Sequence, residues 1–533
     1  MSPIKSEVPA SGNMPRCYGL AEVYAPTGSE AAAFDRWAMV DQGVASGVLM
    51  ENAGRSAALI LGRLFHNDPV VVLAGSGNNG GDGLVLGRSL AVQGRDVRIL
   101  SIGSRSAQEP LLHGWPISVH PGSEDEDRLT SELASAGVIV DALLGTGIRG
   151  APRGLYAGAI RAINRAGRPV FSLDVPSGVD ADTGAVSADT VLADVTVAFG
   201  SPKLGTLLFP GRERSGRLVA VEIGLPPMSG AQIGGRLITP DWAEANRPRR
   251  KLVTHKKAEG RLLIMAGAPG MAGAALLAAR GALRAGAAYV RVASDLENRE
   301  ILQAGAPEAL FVDVSDAEVL AEAVAESDAL AAGPGMGLDD EAAIRLNGIL
   351  EFVGQRGVVL DADALTLLGR GKLPAFDGPL EADRRLLTPH PGEMARLGGD
   401  PAEIQADPVG SCREGAARWS AALLLKGQPS VISAAKGGSV WVSTGGSSDL
   451  ARAGIGDVLT GVAGAFLARG VDAVTAGALG LHVTGRAAAL SGRRDTLLPS
   501  DIADYLTTAF GDPLCRISDL GLPFVTLDLD PPH

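Results

Sequence analysis

Short apolar runs alternate with amphipathic stretches along most of this 533-residue chain. In the first half, "PVVVLAG", "DVRILSIG", "AGVIVDALLG", "PVFSLDVPSG" and "DVTVAFG" read as strands, and the segments between them, such as "DGLVLGRSLAVQG", read as helices. Strands alternating with helices imply right-handed crossovers and a parallel sheet covered on both faces. Residues 30–65 read as helical, with "VLMENAGRSAALILGRLF" carrying apolar residues at helical spacing and an Asn-Ala-Gly kink. After "AVEIGLPP" the pattern breaks: "MSGAQIGGRLITPDWAEANRPRRK" mixes Gly, Pro and basic residues with little periodicity, which puts a domain boundary near residue 240. Alternation restarts with "GRLLIMAG", "AAYVRVAS", "DALAAGPG", "GVVLDADAL", "RLLTPHPGE" and "AALLLKG". The expectation is an N-terminal extension over 1–29, then two unlike three-layer α/β domains in tandem over 30–240 and 241–533. The tail "FVTLDLDPPH" fits either a last strand or a disordered end.

Composition narrows this picture without changing it. At ~150 residues per domain the length fits two to four domains. Hydrophobic residues are 46% and charged residues 20%, the balance of a folded chain. Aromatics are only 4%, so the cores rest on Ala, Val, Leu and Ile. A net charge of −12 argues against a general nucleic-acid binder, and the one basic run, "RPRRKLVTHKK", reads as a solvated linker. Cys17, Cys412 and Cys515 are scattered, with no CxxC pair, which fits a reducing compartment and gives no metal signal. The first residues hold no apolar core of signal-peptide length, and no long uncharged apolar stretch appears, so the cytoplasm is the expected location. The Ala/Gly-rich helices suit close packing between subunits and within one alike; a homo-oligomer is the expected assembly.

Candidate chemistry gathers where strands end. "GSGNNGGDG" follows the first strand, "DALLGTGIRG" the third and "DVPSGVD" the fourth. Ligands of open α/β sheets bind beyond the carboxyl ends of strands. Glycines let the backbone approach an anion, and the next helix supplies N–H donors. A tight strand-to-helix turn explains any one cluster as well; three, each pairing Gly with Asp, Asn or Ser, favour a ligand. The spacing matches neither GxGxxG nor the Walker pattern. Near the other end, "ARAGIGD" runs into a long apolar helix, where the amides of "AGIG" could hold an anion beside Asp457. By itself Asp457 also reads as an ordinary helix cap.

"LMENAG", "GNNGGDG", "VDALLGTG", "LDVPSGVD" and "FGSPKLG" together resemble the NAD(P)H-hydrate epimerases, over most of 34–225. The resemblance implies a Rossmann-like parallel sheet, with the hydrated nicotinamide dinucleotide bound by Asn78, Asn79, Gly80, Gly81 and Asp82, and by Gly145, Thr146, Gly147, Ile148, Arg149 and Gly150. It implies Asp174 as the substrate-contacting acid/base, although a turn-forming carboxylate is the plainer reading of that position. It further implies a potassium ion (K+) held by Asn79, Asp141 and Ser177, whose hard oxygens suit such a cation.

The second half resembles the ribokinase-like superfamily, and within it the ADP- or ATP-dependent NAD(P)H-hydrate dehydratases, through "GPGMG", "LDADAL", "TPHPGE", "LKG" and the Gly-Asp end of "AGIGD", over roughly 252–509. What this implies is a mostly parallel sheet, hydrate contacts at Ala274, Gly335, His390 and Asp457, and nucleotide contacts at Lys426, Gly427, Gln428, Pro429, Ser430 and Gly456. A lone loop histidine is ordinarily a hydrogen-bonded surface residue; His390 lies between two prolines that stiffen its backbone. Hydroxide is a poor leaving group, and phosphorylating the hydrate's hydroxyl from ADP turns it into phosphate, with Asp457 as base and Mg2+ offsetting charge. The chain departs from the family pattern at Lys257, which stands where a glycine is usual, and at Arg452 and Ile455 beside the phosphoryl site. The expected function is therefore repair of hydrated nicotinamide nucleotides by epimerisation and dehydration. Two alternatives stand beside it: a ribokinase-like kinase of a small hydroxylated metabolite, and a catalytically idle nucleotide-binding protein.

Overall fold

The computed structural model describes residues 22–104, 110–147, 149–230, 232–249, 260–378, 381–511 and 518–532. They fall into two compact units: the described residues of Pro15–Leu237 with those of Arg516–His533, and the described residues of Ile238–Cys515. No helix among them is long and apolar enough to cross a membrane.

The first unit is built on β1 (Val70–Ala74), β2 (Val97–Ser101), β3 (Val119–Pro121), β4 (Val138–Ala142), β5 (Val170–Leu173), β6 (Val195–Phe199) and β7 (Arg217–Val221). Their spatial order is β7-β6-β5-β4-β1-β2-β3 and every pairing is parallel. All residues of β1, β4 and β6 are buried, as a sheet covered on both faces requires. The period-2 alternation sends Val70, Val72 and Ala74 into one core with Ile60, Leu84 and Leu86, and Val71 and Leu73 into the other with Leu133, Ile160 and Ile163. Strand order reverses between β1 and β4, the crevice where such sheets receive ligands.

The second unit's sheet comprises β8 (Gly235–Ile238), β9 (Arg261–Met265), β10 (Tyr289–Ser294), β11 (Leu310–Asp313), β12 (Ala329–Ala332), β13 (Gly357–Leu360), β14 (Arg385–Leu387), β15 (Ala422–Leu425), β16 (Val431–Ser433) and β17 (Val440–Ser443). The order is β11-β10-β9-β12-β13-β14-β15-β16-β17-β8, parallel from β11 to β15 and antiparallel from β15 to β17. Its reversal falls between β9 and β12. Helix 455–468 is buried almost all round, packing Val462 and Phe466 among Leu262, Ala331 and Val359. It meets helix 272–284 through small residues: a Cβ on Gly461 would stand 1.9 Å from the Ala278 carbonyl oxygen.

The structure departs from the sequence expectations in four places. The tail is neither disordered nor part of the second unit: β18 (Val525–Leu529) pairs antiparallel with β7, completing an eight-stranded sheet in the first unit. Its Asp528, fully buried, takes two hydrogen bonds from Arg217 and one from Ser518. Residues 22–29, expected in the extension, belong to the fold, with Val23 and Tyr24 buried and Thr27 closing a capping box with Glu30. The Asn-Ala-Gly run does not interrupt its helix, which is continuous over Ser46–Leu64; a Cβ on Gly54 would stand 2.5 Å from Val85 Cβ, so the glycine serves helix–helix approach. The stretch around 240 is not featureless, holding β8 and a helix over Pro240–Asn246 capped by Thr239.

Candidate active sites

In the first unit, β1 ends at Ala74 and a helix begins at Asn78, so the expected loop residues Asn78 to Asp82 are its opening turn. Gly77 caps it without a side chain, leaving the turn's outer face clear of one. Asn79 is buried: its Nδ2 donates to the carbonyls of Leu144 (2.8 Å) and Leu173 (3.2 Å), whereas its Oδ1 has no hydrogen-bond partner among the described residues. Gly80 is buried beside it, and a Cβ on Gly81 would meet Met50 at 2.7 Å.

Asp141, the last residue but one of β4, is wholly buried. Its Oδ1 accepts from the Ser177 hydroxyl (2.6 Å), and its Oδ2 from the Ser177 N–H (2.9 Å) and the Ser172 hydroxyl (2.9 Å). Burial pushes this carboxyl above its ordinary range, against those hydrogen bonds. A buried oxygen lacking a donor, a buried carboxylate and a buried hydroxyl form a donor set that suits a hard monovalent cation.

Asp174 follows β5 with φ +64, a left-handed conformation uncommon outside glycine and often found at functional sites. Its Oδ1 accepts from the Lys203 ammonium and from the Phe199 N–H (3.3 Å). Among the described residues no hydrogen bond reaches its Oδ2, and a Cβ on Gly145 would lie 4.0 Å from that oxygen and 3.3 Å from Asn79 Cβ. The glycine segment after β4 therefore abuts both Asn79 and Asp174. Thr146 is half-buried and Gly147 opens to solvent. Arg149 is turned to the surface, paired with Asp182 (2.6 Å) and Ser29. Gly150 is exposed, and Ile148 lies outside the described residues.

Two carboxyls share Asp174's surroundings. Desolvation holds Asp82 well above the carboxylate range, with the charge of Asp174 adding and Lys203 opposing. Asp35 is raised by burial and by Asp174, again against Lys203. Neither Asp35 nor Lys203 is singled out by the sequence reading. Lys203 stands in "FGSPKLG", and Asp35 follows the buried Phe34 on a helix whose partners only the fold supplies.

In the second unit the reversal brings two predicted contacts together: Ala268 N–H donates to the Gly335 carbonyl (2.6 Å), and a Cβ on Gly335 would stand 3.2 Å from Ala274 Cβ. Asp457 is the third residue of helix 455–468, whose cap is Gly454 at φ +91. Among the described residues it makes no capping hydrogen bond, and it stands as the acidic residue of the helix's first turn. Burial first, then the charges of Asp361, Asp363 and Glu393, raise its pKa to about 7 against the pull of Lys426. Lys426 donates to Asp361 Oδ1 (2.5 Å), and Thr460 donates to Asp361 Oδ2 (2.6 Å). A Cβ on Gly456 would stand 3.1 Å from the Lys426 ammonium, so that charge faces the turn beginning the helix.

Gly427 to Ser430 form the tight turn between β15 and β16, with the Gly427 N–H donating to Ser430 Oγ and the Gln428–Pro429 bond cis. The Lys426 N–H donates to the Pro389 carbonyl (2.8 Å), which sets this turn beside His390. His390 caps helix 391–396: its Nδ1 accepts from the N–H groups of Gly392 and Glu393, Glu393 accepts from its backbone, and its Nε2 lies 3.5 Å from Glu393 Oε1. Asp361, Asp363, Glu393 and Thr460 were not picked out from sequence, although the first three sit inside the quoted motifs. Arg452 points to the Asp495 carbonyl (2.5 Å) and Ile455 into the core; Lys257 lies outside the described residues.

Two mostly parallel sheets, each with an acidic residue and a lysine near its strand ends, mark an α/β protein of the enzyme class with a candidate site in each unit. A family profile described as NAD(P)H-hydrate dehydratase matches residues 262–508, and one described as YjeF-related protein N-terminus matches 46–205. The sequence is 37% identical to the bifunctional NAD(P)H-hydrate repair enzyme Nnr of Moorella thermoacetica over 517 residues, 91% of this chain and 96% of that one. It is 33% identical to the Escherichia coli enzyme of the same name over 428 residues, 78% of this chain and 80% of that one. The chain belongs to the family of bifunctional NAD(P)H-hydrate repair enzymes, which join an epimerase to a dehydratase. The second unit is also similar to the ADP/ATP-dependent NAD(P)H-hydrate dehydratase of Bacillus subtilis co-crystallised with ATP/Mg2+, at 27% identity and a TM-score of 0.45, covering 52% of this chain and 98% of that one.

Proposed function

We propose that the first unit interconverts the R and S epimers of hydrated NADH and NADPH through Asp174, and that the second dehydrates the S epimer at Asp457 with ADP as phosphoryl donor. One observation supports the reading: each unit holds, near the crevice where strand order reverses, a carboxylate with an oxygen that takes no hydrogen bond from the described residues.

In the epimerase the hydrate's C6 hydroxyl leaves as water, pushed by the ring nitrogen, when a proton reaches it; water returns to the other face when a proton is taken from it. Asp174 Oδ2 accepts that proton, and Asp82, whose carboxyl burial holds well above the carboxylate range, stands in the same cluster. Asn79, Asp141 and Ser177 would hold a potassium ion, which when bound supplies a fixed positive charge near the substrate's phosphates.

In the dehydratase, Asp457 takes the proton of the C6 hydroxyl as that oxygen attacks the terminal phosphorus of ADP, and AMP leaves. The amides opening helix 455–468 and the Lys426 ammonium face the transferring phosphoryl group. The ring nitrogen then expels phosphate, and loss of the C5 proton restores the dihydropyridine. Gly427 to Ser430 and Gly456 carry the nucleotide, and Ala274, Gly335 and His390 Nε2 the hydrate. Mg2+ travels with the donor's phosphates and supplies neutralisation of their charge. Arg452 is held by the Asp495 carbonyl and Ile455 packs into the core, which supports an active second unit rather than an idle one.

The test is to incubate mixed hydrate epimers with ADP and Mg2+ and follow the reduced-nicotinamide absorbance. Complete conversion is expected. Conversion that stops when the S form is spent would sink the epimerase assignment, and none at all would sink the dehydratase.

A further inference from the structure

We propose that Lys203 is the positioning residue of the epimerase site, binding one oxygen of Asp174 so that the other faces the substrate. This rests on the epimerase reading above. Lys203 is 5% exposed, and among the described residues its ammonium has two acceptors, Asp174 Oδ1 and the Phe199 carbonyl (2.8 Å). The Phe199 N–H binds the same Asp174 oxygen. One short segment thus grips Oδ1 from two sides, while Oδ2 is left toward Gly145, which also abuts the Asn79 side chain.

The geometry at Asp174 makes such a grip necessary. A carboxylate on a left-handed residue can rotate about χ1 and χ2, and a proton acceptor must be aimed. Asp35 on helix 28–40 and Asp82 on helix 78–92 both face the pair, with Arg36 acting on Asp35. Three acidic groups around one ammonium leave Lys203 as the cation shared by the cluster. Removing it would free Asp174 to turn and bring the three carboxyls into direct repulsion.

Lys203→Met and Lys203→Ala are to be assayed by following interconversion of a purified single epimer. The epimerisation kcat of Lys203→Met should fall roughly 10²-fold, the scale of acid–base contributions, while KM for the hydrate moves less than about threefold. Methylammonium should restore the rate of Lys203→Ala with saturation, and the acidic limb of the pH–rate profile should move to higher pH in both. A change confined to KM, or a loss that no amine relieves, overturns the assignment. If neither variant folds, Lys203→Arg decides: a kcat within about tenfold of wild type supports a cation requirement, and a loss equal to that of Asp174→Asn refutes it. Wild-type protein that cannot interconvert the epimers would instead remove the underlying epimerase reading.

Discussion

Asp457 and Asp174 are one residue type at comparable places, each at the carboxyl side of a mostly parallel sheet, and their neighbours set them apart. Asp174 is gripped by an ammonium and an N–H; Asp457 is desolvated and ringed by Asp361, Asp363 and Glu393. A base must be deprotonated to act, so the dehydration rate should climb with pH and level off above a midpoint near the pKa of about 7. Asp457→Asn should lower it by roughly 10²-fold or more without affecting epimer exchange. Stability should move the other way. The folded-state pKa lies above the unfolded one, so the wild type loses stability as pH rises from about 4 to about 7, while the Asn variant does not. Thermal melts of the two should therefore diverge across that window and run parallel above it; melts that stay parallel throughout would refute the buried, raised carboxyl. At Asn79, Asp141 and Ser177, replacing potassium by lithium should slow epimerisation and leave dehydration of pure S epimer unchanged.

At the level of elements, apolar periodicity carried most of the information. Each apolar run quoted at the outset became a strand at its expected place, because a parallel strand buried on both faces must be apolar throughout. Periodicity missed β7, and also β3, β8, β11, β16 and β17, which are three or four residues long and too short to complete a pattern; β11 is only partly buried at the sheet's edge. Glycine was ambiguous: in "GNNGGDG" and "ARAGIGD" it marks a helix start, whereas Gly461 and Gly54 sit mid-helix to let another backbone or side chain close in. Gly461→Ala should destabilise the second unit by about 1–3 kcal/mol or more, read from denaturant unfolding, since the added carbon would meet a carbonyl oxygen rather than a side chain that can yield. In the first unit, Arg217→Ala should cost about 3 kcal/mol by removing the ion pair and two hydrogen bonds that Arg217 gives the buried Asp528 of the C-terminal strand.

For the whole molecule, the two activities belong to one sequence of events: a dehydratase that takes one epimer needs the other returned to it. With Asp174→Asn the absorbance assay should stall once the S form is consumed, and adding wild-type protein should release the rest. The sequence alone determined the two-domain α/β plan and the two strand-end clusters, because alternation, glycine placement and acidic residues after strands are local properties of the chain. It also carried the family likeness through motifs. Tertiary structure decided what no local pattern encodes: that the last strand returns to the first sheet, that Lys203 and Asp35 converge on Asp174, and that Asp361, Asp363 and Glu393 surround Asp457. Each of these joins residues far apart in the chain, and the effect of one charge on another is fixed by distance and burial, which exist only once the chain is folded.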